Sequence, residues 1–202
     1  MKKAALALLL LSLAPVLAQQ APQLEVETVR SDAQRLALDV ETINSEVGWF
    51  PAGSRPQDYS FGVGTTQGMT RPLAFRIQAK SGASRGGNDF GTLMRYAPVT
   101  AWRGKRLRLS ARMKSENAAW LCLWLRVDPA DRGSRPLAFY NMADRPVRGS
   151  TDWKRYEAVM DVPDGAAGLA FGFFLAQGRG LGWAEDFHVE EVGREVPVTV
   201  MP

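Results

Sequence analysis

Residues 106–113 read RLRLSARM, and residues 120–127 read WLCLWLRV. In both runs an apolar side chain stands at every second position, and this period of two is typical of a β-strand that buries one face. The two runs therefore predict strands whose aliphatic faces form a core. The positions assigned to that core are Leu107, Leu109, Ala111 and Met113 in the first run and Leu121, Leu123, Leu125 and Val127 in the second.

The rest of the chain has the same short-strand character. No long amphipathic helix is visible after the N-terminal segment, and Gly, Pro, Asp and Asn interrupt the β-like runs as expected of turns. This pattern predicts an all-β fold, a two-sheet antiparallel β-sandwich. The Gly-rich segments 48–56 and 81–91 are expected to be loops. Further strands are predicted over 73–78, 156–162, 169–175 and 183–192.

The first 18 residues have the order of a secretory signal peptide. Lys2 and Lys3 precede an apolar run over 4–13, and a small-residue pattern typical of a cleavage site ends at Ala18. The run is shorter than the roughly 20 residues that span a bilayer, so we expect a cleaved helix, export to the periplasm or beyond, and no membrane span. The predicted divisions are a signal peptide over 1–18, a linker or loosely held first strand over 19–35, the β-sandwich over 36–192 and a tail over 193–202.

Composition excludes several kinds of site. The 202 residues include 25 Lys and Arg against 21 Asp and Glu, and two of those lysines lie in the signal peptide, so we expect no nucleic-acid partner. Cys122 and His188 are the only residues of their kinds, which excludes an internal disulfide, a cysteine zinc site and a histidine cluster. No serine lies in a nucleophile elbow, which disfavours a triad through His188. We expect no cofactor, although the loop from Asp128 to Asp131 offers oxygens for a structural calcium ion.

The second face of the run 120–127 is unusual, because it carries Trp120, Trp124 and Arg126. Aromatic rings suit the C–H faces of sugars, and Arg, Asp and Asn supply directional hydrogen bonds to hydroxyl groups. This face is therefore a hypothesis for a carbohydrate-binding groove. The alternative is a second small core, in which the N-terminal segment or the loop 137–150 covers both tryptophans.

Several short motifs follow one another in the second half of the chain: RGKRLRLSARMK (103–114), LWLRVD (123–128), LAFYNM (137–142), DRP (144–146), TDW (151–153), RY (155–156) and VP (162–163). Their order resembles a bacterial domain family of galactose-binding-like, jelly-roll type, found alone and attached to AraC-type regulators and tail-specific proteases. The likeness extends over about 45–192, and it implies a jelly roll similar to non-catalytic carbohydrate-binding modules. The family pattern has aspartate where this chain has Tyr140, whereas Asn141, Asp144 and Arg145 match it and are also suited to bonding their own turn.

Three classes of function stay open. The first is a non-catalytic module for a carbohydrate or other small polar ligand. The second is a structural or protein-interaction domain of the cell envelope, which would present Arg106, Arg108 and Arg112 as a basic row. The third is a jelly-roll glycoside hydrolase or lyase, which needs two facing carboxylates; the acids on offer are Asp128, Asp144, Glu157 and Asp161. The ligand-binding candidates are Trp49, Trp120, Trp124, Arg126, Tyr140, Asn141, Asp144 and Arg145.

Overall fold

The computed structural model describes residues 25–26, 48–131 and 133–199, and within them the regular structure is β-strand with two 3-10 turns, Pro56–Asp58 and Thr100–Trp102. The predicted signal peptide over 1–18 lies outside the described residues. No helix among the described residues is long and apolar enough to cross a membrane. The strands are β1 (Glu25–Val26), β2 (Trp49–Gly53), β3 (Tyr59–Gly64), β4 (Ala74–Ala79), β5 (Phe90–Pro98), β6 (Arg106–Pro129), β7 (Ala138–Tyr140), β8 (Val147–Asp161), β9 (Ala166–Ala176) and β10 (Leu181–Val192).

Strand β6 organises the sandwich because it belongs to both layers. Its first half pairs with β10 and β8, and its second half pairs with β9 and β7. The first sheet therefore runs β1-β3-β4-β10-β6-β8, and the second runs β7-β6-β9-β5-β2. All pairs are antiparallel except β1 with β3. Register shifts between Met113 and Leu121, and a φ of 51° at Asn117, mark the passage from one layer to the other.

The two layers enclose an aromatic and aliphatic core. Trp49 of the second sheet lies 4.6 Å from Phe75 and 4.7 Å from Phe187 of the first, measured between ring centroids. Phe173 and Phe187 also meet across the layers, at 6.1 Å. The core positions predicted from alternation in β6 are confirmed, since each of the eight is at most 1% exposed. The chain is thus a two-sheet antiparallel β-sandwich of jelly-roll type.

The structure departs from the predicted elements in several places. The runs 106–113 and 120–127 belong to one strand of 24 residues, so the segment between them is not a turn. Part of the predicted loop 48–56 is the strand β2, which tolerates Pro51 because it is an edge strand and pairs only with β5. Strands β3 and β5 were not predicted, and the segment 137–150 that was expected to be a loop contains β7 and the start of β8. Within the predicted tail, Thr199 donates its backbone N–H to the Val159 carbonyl at 2.8 Å, along the edge of β8.

Candidate ligand-binding surface

Trp124 lies on the outer face of the second sheet, but this face is not open at that point. The indole is 0% exposed, and its Nε1 donates to the Thr92 hydroxyl of β5 at 2.9 Å. The loop after β7 contacts the neighbouring positions, since the Met142 sulfur accepts the Leu123 N–H at 3.3 Å and the Met142 carbonyl lies 3.9 Å from the Cys122 sulfur. Cys122, beside it, is also fully buried, and burial raises the pKa of its thiol far above the ordinary range. The expected aromatic hollow is therefore absent at Trp124, whose indole belongs to the buried core, while Trp120 is only half-buried.

Two further tryptophan candidates, Trp49 and Trp120, pack against other parts of the protein. Trp49 is 5% exposed because its ring fills the space between the two layers, where it packs against Phe171 and two rings of the first sheet. Trp120 is half-buried, and the Arg148 guanidinium lies 4.7 Å from the centre of its ring. The cation in this position occupies one face of the Trp120 ring.

The candidates in the loop after β7 hold that loop in place. The Tyr140 hydroxyl donates to Asp144 at 2.9 Å and accepts from Nε of Arg145 at 2.8 Å. Burial is the main reason why the pKa of Tyr140 is raised. The Asn141 side-chain oxygen accepts the Ala143 N–H at 3.2 Å, so Asn141 forms the turn that the sequence offered as its structural role. Asp144 and Arg145 are exposed, but both are engaged with Tyr140, which is buried.

Arg126 is the one candidate that reaches an exposed aromatic side chain. Cross-strand pairing places Tyr96, Ala170, Arg126 and Phe139 in one row across β5, β9, β6 and β7, all on the outer face of the second sheet. The Arg126 guanidinium donates to the Tyr96 hydroxyl at 3.0 Å and passes over the small side chain of Ala170. It also forms an ion pair with Asp128, with Nε 2.7 Å from the carboxylate.

Tyr96 gives this row its solvent-facing surface, because it is 48% exposed. Its ring stacks on half-buried Phe50 at 5.8 Å, with an angle of 26° between the ring planes. Phe50, Tyr96, Arg126, Asp128 and Phe139 are called the Tyr96 surface below. At its end Gly168 lies opposite both Asp128 and Pro98, and a side chain added at Gly168 would meet nothing within 4 Å. The surface therefore combines an exposed ring, a fixed ion pair and open space beside them.

The outer face of the first sheet does not present the basic row considered for protein docking. Arg106 forms a two-point ion pair with Asp161, at 2.8 and 3.0 Å, and this contact lowers the pKa of the Asp161 carboxyl. Arg108 bonds Glu190 at 2.7 Å, and Arg112 bonds Glu185. Each positive charge in the row is thus neutralised by a carboxylate from β8 or β10.

Glu185 has a structural role on that face. Its side chain is fully buried and accepts the N–H of Thr70 at 3.0 Å, the N–H of Arg71 at 3.1 Å and a bond from Arg112. Trp153 of β8 holds the same loop through Nε1, which donates to the Gln67 carbonyl at 3.0 Å. The loop between β3 and β4 is therefore fastened over one end of the first sheet.

The four acids considered for glycosidase chemistry each contact an arginine or a tyrosine, with Glu157 3.8 Å from Arg108. Asp128 is paired with Arg126, Asp144 with Tyr140, and Asp161 with Arg106. No described group of three or more acidic, His or Cys side chains is placed to hold a metal ion. In the loop considered for calcium, the Asp131 carboxylate accepts the Gly133 N–H at 3.0 Å and the Ser134 hydroxyl at 2.8 Å, and the first of these bonds is the main reason why its pKa is lowered.

A serine, the histidine and a glutamate do lie side by side on the first sheet, but not as a hydrolase triad. Ser110 of β6 is the direct neighbour of His188 on one side and of Glu157 on the other. Within the described ranges no hydrogen bond joins Ser110 to His188, and the serine oxygen accepts from Arg155 at 2.9 Å instead. In a triad the histidine stands between serine and acid, so this order does not activate the hydroxyl.

The architecture places the chain in the class of jelly-roll β-sandwich domains. Solved structures of similar fold include the CBM22-1 xylan-binding domain of Paenibacillus barcinonensis Xyn10C, with a TM-score of 0.51, 10% identity, and 74% of this chain and 88% of that domain covered. Another is the enzymatically active domain of bacteriophage CBA120 tailspike protein 4, with a TM-score of 0.52, 12% identity, and 78% of this chain and 21% of that one covered. At these identities the likeness concerns the fold alone.

Comparison with known protein families finds no match. In sequence the chain is 35% identical, over 153 residues, to the uncharacterized HTH-type transcriptional regulator YbfP of Bacillus subtilis. The alignment covers 75% of this chain and 50% of the regulator, so the chain spans about half of that relative's length. A relative among regulators is consistent with the resemblance to a domain that is attached to AraC-type proteins.

Proposed function

We propose that this protein is an exported, non-catalytic binding domain that holds a carbohydrate on the Tyr96 surface. The observation that carries the proposal is the exposed Tyr96 ring, which is stacked on Phe50 and bonded through its hydroxyl to Arg126. Export rests on the signal-peptide pattern of residues 1–18. The fold shared with a xylan-binding domain supports the same class of ligand.

The chemistry of the surface suits an uncharged sugar. A half-exposed ring offers a flat apolar face to the C–H groups of a pyranose, and its stacking partner keeps that face in one orientation. The Asp128 side chain, which is 25% exposed, offers acceptor oxygens to hydroxyl groups, and its ion pair with the buried Arg126 leaves no net charge. Because these groups are already held by protein contacts, little side-chain entropy is lost when a ligand binds.

The Tyr96 ring and the Tyr96 hydroxyl have separable roles. With soluble xylan as probe, Tyr96→Ala is expected to weaken binding by about thirtyfold or more, since it removes the stacking face. Tyr96→Phe keeps the ring and loses only the bond to Arg126, so a loss between about twofold and tenfold is expected. Isothermal titration calorimetry measures both, and thermal melts check that each variant is folded. A glycan array identifies other glycans that the unchanged protein binds. If Tyr96→Ala bound any of them with the same affinity as the unchanged protein, the proposal would be overturned.

Gly168 allows the open end of the surface to be tested without disturbing the fold. Gly168→Leu is expected to abolish most of the binding, because the new side chain would occupy the space between Asp128 and Pro98. Gly87→Leu is the matched control, since its Cβ also meets nothing within 4 Å and it lies in the loop before β5, at the other end of that strand. The measurement is xylan affinity beside the melting temperature. If the two variants bind alike, the ligand does not use this end of the sheet.

A further inference from the structure

A depression separate from the Tyr96 surface lies on the other layer, on the outer face of the first sheet. It is open to solvent, has a volume of about 330 Å³, and Ser110 forms its small floor. Its walls come from three neighbouring strands, with Glu157 and Arg155 on β8, Arg108 on β6, and His188 and Glu190 on β10. No aromatic side chain lines it, so it does not suit the stacking that the Tyr96 surface offers. It is a polar site, separate from the proposed carbohydrate surface.

A β-bulge in β10 supplies a further wall of the depression. The register shifts between Glu185 and His188, and Asp186 within the bulge has a φ of 52°. Positive φ is uncommon outside glycine, and bulges of this kind often re-aim a side chain at a functional site. Here the bulge brings the Asp186 carboxylate onto Arg155, while Phe187 stays in the core.

Two polar groups face the depression with bonding capacity to spare. No hydrogen bond of the His188 ring is made to any residue in the described part of the chain, and the ring is half-buried. The nearest cation to the Glu157 carboxylate is Arg108, at 3.8 Å, which is beyond hydrogen-bond distance. Arg108 is instead committed to Glu190, at 2.7 Å. A ligand above Ser110 would therefore meet the His188 imidazole on one side and the Glu157 carboxylate on the other, beside the Arg155 guanidinium that is bonded to Ser110.

The charges select the kind of ligand. Two arginines stand against three carboxylates in its walls. Arg108 pairs closely with Glu190 and Arg155 with Asp186, so Glu157 has only a longer ion-pair contact, 3.8 Å from Arg108. We propose that this depression binds a small hydroxylated primary amine. Its ammonium group lies against Glu157, and a hydroxyl group bonds His188. Neighbouring strands lie about 4.8 Å apart. Glu157 and His188 therefore flank Ser110 on its two sides, within reach of one small molecule.

His188 is the only histidine in the sequence, so its ring resonances report on this site alone. The experiment is an NMR titration of the untagged protein with D-glucamine, whose amine is protonated at neutral pH, and with D-sorbitol, the same polyol with a hydroxyl in place of the amine. Glucamine is expected to shift the His188 resonances saturably, and sorbitol is expected to leave them in place. Glu157→Gln is expected to weaken the glucamine response by about tenfold, as for loss of a charged hydrogen bond.

Glu116→Gln is the matched control, because it removes the same charge from an exposed position of β6 outside the depression. It is expected to bind glucamine like the unchanged protein, as is Tyr96→Ala. Three results would each overturn the proposal: no saturable shift with glucamine, an equal shift with sorbitol, or unchanged affinity in Glu157→Gln. Loss of xylan binding has no bearing on it, so the two proposed sites fail independently.

Discussion

Replacing Trp124 by alanine is expected to lower the free energy of unfolding by about 4 kcal/mol and to leave binding at the Tyr96 surface unchanged. The indole is fully buried and bonded to Thr92, so its removal leaves a cavity in the core. For a domain of this size the loss corresponds to a fall of about 10 °C in melting temperature. Denaturant titration and calorimetry measure the stability, and xylan affinity is measured well below the melting range.

Two substitutions separate the bulk of Trp124 from its hydrogen bond. Trp124→Phe retains much of the volume and is expected to cost less than Trp124→Ala. Thr92→Val removes the acceptor and leaves the indole N–H buried without it, at a cost of about 1–3 kcal/mol. If Trp124→Ala instead lost binding and kept its stability, Trp124 would be the sugar-stacking residue. That was the role first indicated by its position on the same face of the strand as Arg126.

Glu185→Ala is expected to destabilise the protein by about 3 kcal/mol, because it leaves Arg112 without its buried partner. The loop between β3 and β4 would also lose its anchor, since the backbone N–H groups of Thr70 and Arg71 both donate to Glu185. Hydrogen exchange at these two amides is therefore expected to accelerate more than exchange elsewhere in the first sheet. Calorimetry gives the accompanying change in stability.

Glu191→Ala is the control for this effect on the same strand. Glu191 pairs with Lys105 at 2.6 Å, but both side chains are largely exposed, so its loss is expected to cost less than about 1 kcal/mol. If Glu185→Ala behaved like Glu191→Ala, and if Thr70 and Arg71 kept their protection, the loop would have to be held by Trp153 and its neighbours instead.

Alternation identified the strands with one apolar face, and it failed where other rules apply. Residues 106–113 and 120–127 were found because apolar and polar residues alternate, whereas no strand was predicted for the polar and small residues between them. In the structure that segment keeps its pairing through register shifts and the left-handed backbone of Asn117. Strand β5 was missed because its first five residues are buried on both faces, which removes the alternating pattern.

The site was harder to predict, because a sequence pattern sorts the faces of a strand without showing what covers each face. Trp124 and Arg126 share one face of β6, yet Trp124 is fully buried and bonded to Thr92, while Arg126 reaches the exposed Tyr96. Tyr96 lies in the strand that was not recognised, so its proximity to Arg126 depended on pairing through β9. The ion pairs of Arg106, Arg108 and Arg112 likewise depend on the register of β6 with β8 and β10, which the sequence does not show.

The continuous strand β6 has a thermodynamic consequence. Because its halves lie in different layers, neither sheet can detach without breaking hydrogen bonds along a strand that the other also uses. The domain therefore unfolds as one cooperative unit, and free energy gained at either face is shared by the whole. A sugar held at Tyr96 would in this way stabilise the layer that carries His188, although the two lie on opposite sides of the molecule.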